Sequence, residues 1–350
     1  MNNQFNNGEM FPPYDPLHEG DPKSARKAFS VSAFSLLIIL AVSLAAQFTL
    51  IIGAELLFGS DSWLFTSSSG MWITSFVPLY LFGIPAGLLL MRLVPVKPLE
   101  KKKMKPHSVL IAFLIAVCFA NVGNYIGSFL SMLLSRGTAE NALNDFAMDN
   151  NPIKIVVMVI LAPFLEELIF RKAFIDRTHV YGEKTAVLLS GLLFGLFHTN
   201  MFQFFYATLI GLLLGYIYVR TGKLIYPFII HALINFFGSV VAPFFLSFVD
   251  LELMETISEM ELSEITEELI EGYLPQLIGA FAFLCYSSFW SNLAIAGFVF
   301  FLIGKKKVFW KRAENQLSLE QTASSAFMNV GMICFIVATV ALTVVSVFLV

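Results

Sequence analysis

Ile153–Asp176 reads IKIVVMVILAPFLEELIFRKAFID, and the rest of the chain is interpreted from it. From Ile153 to Phe170 it has the length and apolarity of a membrane helix, yet it contains Glu166 and Glu167, and Arg171 follows directly. Each ionised group at bilayer depth costs roughly 2.5–3.5 kcal/mol, so the cluster would cost on the order of 10 kcal/mol without compensation. Charge kept at that cost marks a functional site by default.

Composition places the whole chain in the bilayer. Its 350 residues are 57% hydrophobic and 13% charged, with mean hydropathy +0.76. A soluble domain carries about 25% charged and 45–50% apolar residues. The expected fold is all-α, a polytopic helical bundle in the cell membrane, with the bilayer as its main partner and no nucleic-acid partner. Cys118, Cys285 and Cys334 lie in separate apolar runs without metal-ligand spacing, so they read as small core residues.

Residues 1–27 are polar, Asn-rich and Pro-containing, and read as a disordered cytoplasmic tail. Residues 28–350 form the membrane domain. Apolar runs of spanning length recur at Ser30–Leu57, Met71–Leu93, Ser108–Leu134, Ile153–Asp176, Thr185–His198, Phe202–Val219, Leu224–Phe248, Tyr273–Ile303 and Phe327–Val350. The count is eight to nine, because the fifth run is short and the eighth long enough to be tilted or broken. With the N-terminus inside, the inner loops hold Lys97, Lys101, Lys102, Lys103 and Lys105, then Arg177 and Lys184, Arg220 and Lys223, and Lys305–Arg312. The outer loops hold Arg136, with Lys154 at a helix edge. The outer loop 249–272 is acidic, with no Lys or Arg, and reads as a solvated helix with a capping box at Ser258-x-x-Glu261.

Four features gather within 152–238, the expected catalytic core. Glu167 and Arg171 are four apart, share a helix face and can pair, which leaves Glu166 free for chemistry. Phe194 precedes His198 by one turn. If a turn centres on Gly182, Glu166 and His198 are each sixteen residues from it, at matching depth along roughly 24 Å of helix. That turn also puts Arg171 inside the bundle. His231 and Asn235 share a face of the next apolar run but one. Gly191-x-x-x-Gly195 and Gly211-x-x-x-Gly215 allow close helix approach.

EELIFR at 166–171, FGLFH at 194–198 and HALIN at 231–235 carry the EExxxR, FxxxH and HxxxN motifs, in order, of the CAAX prenyl protease and bacteriocin-processing (CPBP or Abi) family, which this stretch resembles. Lys172 departs from the Gly often found there in the family. The resemblance implies an intramembrane endopeptidase acting on membrane-anchored, prenylated or bacterial peptide substrates.

The residues themselves offer a carboxylate and imidazoles, and no activated Ser or Cys in these motifs. Glu166 is the expected base for water, with His198 polarising that water and His231 and Asn235 donating to the oxyanion. Glu167 and Arg171 would fix the helix, and Phe194 supports His198. No cofactor is required by this reading, although Glu166, His198 and His231 could form a three-ligand zinc site. Two other classes fit buried charge: a cation- or proton-coupled transporter, and a non-enzymatic immunity or assembly protein.

Overall fold

The computed structural model describes residues 20–141, 143–250, 253, 255, 256, 259 and 272–348. Among them there is no strand. Most of the acidic loop 249–272, including its capping box, and residues 1–19 of the expected tail lie outside the described residues. Among the described residues nine main helices follow in order: α1 (Pro22–Phe58), α2 (Ser68–Met91), α3 (Pro106–Ser135), α4 (155–178), α5 (Glu183–Phe197), α6 (Met201–Thr221), α7 (Ile225–Leu246), α8 (Leu274–Lys307) and α9 (Val330–Phe348).

Seven of these helices are long and apolar enough to cross a membrane, and the protein is a multi-pass membrane protein. This corrects the count of eight to nine spans. The two that drop out are helices where expected. α4 carries too many charges, among them Glu166, Glu167, Arg171, Lys172 and Asp176. α5 has 15 residues, about 22 Å against a hydrocarbon core of about 30 Å. Residues 22–27 also leave the tail and become the first turns of α1. Pro22 suits an N1 position, and the Asp21 carboxylate accepts from the Lys23 and Ser24 backbone N–H groups, both at 3.1 Å.

The second half of α4 is buried, while Ile155, Val156, Ile160, Leu161 and Phe164 in its first half are exposed. The helix touches α5, α6 and α7, and also α1 and α2. Phe170, Phe174 and Ile175 of α4 join Phe29 and Leu36 of α1, Leu193 and Phe194 of α5, and Tyr218 of α6 in one apolar cluster. The α5–α6 contact depends on glycine: a Cβ on Gly211 would lie 3.0 Å from the Gly191 Cα, so the two backbones approach more closely than larger residues would allow. The basic loops gather at one end. Lys97 N donates to Asp176 O and Lys102 N to Thr221 O, each at 2.7 Å, while Asn315 N reaches Val180 O at 2.8 Å.

Prolines set the irregularities that matter. In α2, α4 and α7 a π-helical stretch (Pro78–Gly83, Ile155–Leu161, Phe237–Val241) ends two residues before Pro85, Pro163 or Pro243. Proline lacks an N–H and its ring crowds the carbonyl a turn earlier, so the helix widens ahead of it. In α4 the widened register takes the Ala162 N–H to Val157 O. The Met158 carbonyl would then await residue 163, which is proline and has no N–H to give.

At the end away from the basic loops, Asp149 ties the start of α4 to α2. Its Oδ2 accepts from Ser68 Oγ at 2.5 Å and from Trp72 Nε1 at 2.6 Å. Burial raises the Asp149 carboxyl, but these bonds and one from Asn151 N outweigh it and leave the group below its ordinary range. A depressed carboxyl contributes stability above its unfolded pKa and loses it as pH falls through the folded value. The thermal midpoint of the purified protein should therefore fall more steeply for wild type than for Asp149→Asn between neutrality and about pH 3. Equal slopes would show that this clasp contributes nothing.

Candidate active site

Glu167 sits at the meeting of α4 and α7. Its Oε2 is 3.0 Å from Arg171 Nε, and both side chains are fully buried. Its Oε1 is 2.9 Å from His231 Nδ1. A carboxylate only accepts, so His231 Nδ1 carries the proton. That tautomer turns Nε2 toward Glu166, whose Oε2 lies 3.5 Å away. Glu166 is the open member of the group: its side chain is 24% exposed, against 7% for His231 and none for Glu167. One carboxylate is thus structural and enclosed, and its neighbour faces accessible space.

Arg171 is buried as its place on a continuous α4 requires. Its guanidinium carbon stands 4.8 Å from the Phe194 ring centre, a cation over an aromatic face. The contact with Glu167 is charge pairing without an aligned N–H. Among the described residues, none of the three Arg171 nitrogens makes a hydrogen bond of ordinary geometry. The pair is therefore held by charge and by packing.

His198 closes α5. Its Nδ1 is 2.8 Å from the Phe194 carbonyl, which can only accept, so Nδ1 donates and the neutral ring keeps Nε2 free. The Phe194 ring meets both imidazoles edge-on, at 4.9 Å from His198 and 5.6 Å from His231. The corner beyond is constrained: Thr199 has φ 49°, a costly conformation for a β-branched residue. Asn200 then caps α6 by accepting from Phe202 N at 2.9 Å, and its Nδ2 donates to Asn141 Oδ1 at 3.0 Å.

All seven residues singled out in the sequence thus lie on α4, on α7, or on α5 and its C-cap, but two of them bond differently from expectation. Glu166 makes its contact with His231, and His198 is linked to His231 through the Phe194 ring that touches both. Asn235 donates Nδ2 to the Met158 carbonyl at 2.8 Å, filling the acceptor that Pro163 leaves without a partner. One of its amide hydrogens is therefore committed to holding α7 against α4. Among the described residues, Glu166, His198 and His231 do not group as a set that could hold a metal ion.

With this geometry in view, the comparison with known proteins is informative for the segment that holds it. Residues 149–237 match the Rce1-like family, described as type II CAAX prenyl endopeptidase. All three motifs fall inside this Rce1-like segment, in accord with the CPBP resemblance. A Bacillus subtilis (strain 168) protein named "Putative membrane peptidase YdiL" is 33% identical over 90 residues, which is 25% of this chain and 36% of that relative. The chain thus spans about a third of the length of the curated relative it matches. No solved structure matches.

Removing Arg171 would leave Glu167 charged and enclosed without its cation. Arg171→Ala should lower stability by about 3–5 kcal/mol, and Arg171→Lys should restore only part of it because a point charge cannot cover the Phe194 face in the same way. Unfolding of the purified protein in mixed detergent measures this. A loss below about 1 kcal/mol for Arg171→Ala would contradict the pairing.

Proposed function

We propose that this protein is an intramembrane endopeptidase of the CAAX type that hydrolyses a peptide bond in membrane-anchored proteins or peptides, prenylated ones included. The observation that supports it best is the buried series Arg171–Glu167–His231, which ends against the accessible carboxylate of Glu166. A transporter relay or a passive interface does not need a second carboxylate held open beside one already paired.

In this reading Glu166 takes a proton from water as the water oxygen bonds to the scissile carbonyl carbon. The free Nε2 of His198 accepts a hydrogen bond from the same water and orients it. His231, fixed through Nδ1 by Glu167, presents Nε2 as an acceptor to the Glu166 O–H once Glu166 has taken the proton. When the C–N bond breaks, protonated Glu166 returns its proton to the leaving nitrogen, so the enzyme ends as it began. Asn235 acts first as the brace between α7 and α4, with one amide hydrogen left for the substrate. We read the chemistry as metal-independent, on the ground that Glu166 and His231 already face each other and Glu167 occupies His231 Nδ1. By the positive-inside rule the basic end faces the cytoplasm, and so does the N-terminus.

Glu166→Gln should reduce cleavage of a membrane-anchored peptide in liposomes by about 10²–10⁴-fold, with insertion and unfolding midpoint unchanged. His198→Ala should also lower turnover. Chelation should leave wild-type activity intact. Full activity in Glu166→Gln would overturn the proposal, and complete loss on chelation restored by Zn²⁺ would overturn its metal-independent form.

A further inference from the structure

The positive-inside rule accounts for basic residues at one end of the bundle, but not for how they are distributed there. Many are engaged by the protein itself. Lys97 pairs with Glu314, Lys172 with Asp176 and Arg220 with Glu183, while Arg26 and Arg177 donate to main-chain carbonyls. Lys101, Lys103, Lys105, Lys305, Lys306 and Lys307 are different. All six are exposed, and among the described residues none of them forms a salt bridge.

The fold brings these six to one corner. α3 begins just after Lys105, and α8 ends in the turn Lys305–Lys307. The two helices run antiparallel and pack closely: a Cβ on Gly297 would overlap the Leu114 carbonyl. Each basic run is reached from that contact along about 12–14 Å of helix, so the two end level with each other. Both are also anchored to the end of α6. Lys102 N donates to Thr221 O at 2.7 Å. The Arg220 guanidinium carbon lies 4.6 Å from the Phe309 ring centre, and the Trp310 and Tyr216 rings are 5.4 Å apart. Acids beside the runs are already taken: Glu100 pairs with Lys102 at 2.9 Å, and Glu183 holds Arg220 and Lys311 N.

We propose that this α3–α8 corner binds the headgroups of anionic phospholipids. Six like charges held close together repel one another, and a phosphate-bearing surface relieves that repulsion. The apolar groups at the same level point to a bilayer and not to a soluble acidic partner. Val308 and Phe309, directly after the α8 lysines, are exposed. Trp310 and Tyr226 are half-buried, and Tyr226 Oη accepts from Met104 N at 3.0 Å beside the α3 lysines. Aromatic side chains gather in this way where hydrocarbon meets headgroups, which puts the lysines at phosphate depth. A soluble acidic partner would meet the lysines and leave Val308 and Phe309 in water.

The test follows thermal unfolding of the purified full chain in a neutral detergent, titrated with dioleoylphosphatidylglycerol or dioleoylphosphatidylcholine. A lipid that binds the folded protein raises the midpoint. The anionic lipid should act at a concentration at least about 10-fold below the zwitterionic one. Lys305→Gln, Lys306→Gln and Lys307→Gln combined should raise the phosphatidylglycerol needed by about 10–100-fold, and so should Lys101→Gln, Lys103→Gln and Lys105→Gln combined. Each variant is read against its own lipid-free midpoint, so a lowered baseline does not mask the result. A control triple on α1 and α2, Lys23→Gln, Lys27→Gln and Arg92→Gln, should stay within about 3-fold of wild type. Raising NaCl from about 50 to about 500 mM should weaken the response to phosphatidylglycerol and leave that to phosphatidylcholine unchanged. Equal responses to the two lipids, corner triples that match wild type, or a control triple that loses as much as the corner triples would each overturn the proposal. So would inorganic phosphate, if it raised the midpoint as far as phosphatidylglycerol at the same concentration.

Discussion

The two oxygens of Glu167 face different helices, and the geometry of the site depends on that. One oxygen meets Arg171 a turn further along α4, and the other meets His231 on α7. A carboxylate removed from water loses several kcal/mol of solvation, so it stays ionised only where partners approach from fixed directions. Because one partner is on its own helix and the other is not, the charge pair also sets how α4 and α7 sit against each other. His231 acquires a defined tautomer, and Glu166 acquires a defined neighbour. The enclosed glutamate therefore makes the accessible one usable.

Proline shapes the same interface through the backbone. The Met158 carbonyl loses its helical partner at Pro163, and Asn235 replaces it from α7. From the α5 side, Ser190 Oγ bonds the Phe170 carbonyl within the second widened stretch of α4. α4 is thus held by side chains on two neighbouring helices at places where its own ladder is altered. In a bilayer such groups have no water to turn to, so helix irregularity survives only where protein covers it. This explains why a helix too charged to span on its own composition can still be embedded among its neighbours.

Much of this was legible in the sequence, for a definable reason. Charge inside an apolar run stands out, so Glu166, Glu167, Arg171, His198, His231 and Asn235 could be named, and the four-residue spacing of Glu167 and Arg171 foretold their pairing. The turn at Gly182 and the small-residue contact of Gly191 with Gly211 were also readable. Partner identity was less accessible. Helical spacing says which residues share a face, but not which helix stands opposite, so Glu166 was matched with His198 and not with His231. The role of Asn235 depends on a carbonyl freed by the π register before Pro163, and side-chain patterns do not encode that register. Counting spans by apolar length took in α4 and α5, because length alone ignores what neighbouring helices supply.

What distinguishes the account from a set of independent buried charges is coupling between Glu167 and His231. A double-mutant cycle on turnover measures it most directly, using Glu167→Gln, His231→Gln and the two combined in the liposome cleavage assay. If Glu167 acts by holding His231 beside Glu166, the double variant should cleave about as fast as the slower single variant, because the second change removes an interaction already lost. If the two losses instead multiply, the residues act separately, and the buried bridge between α4 and α7 is not what orders the site.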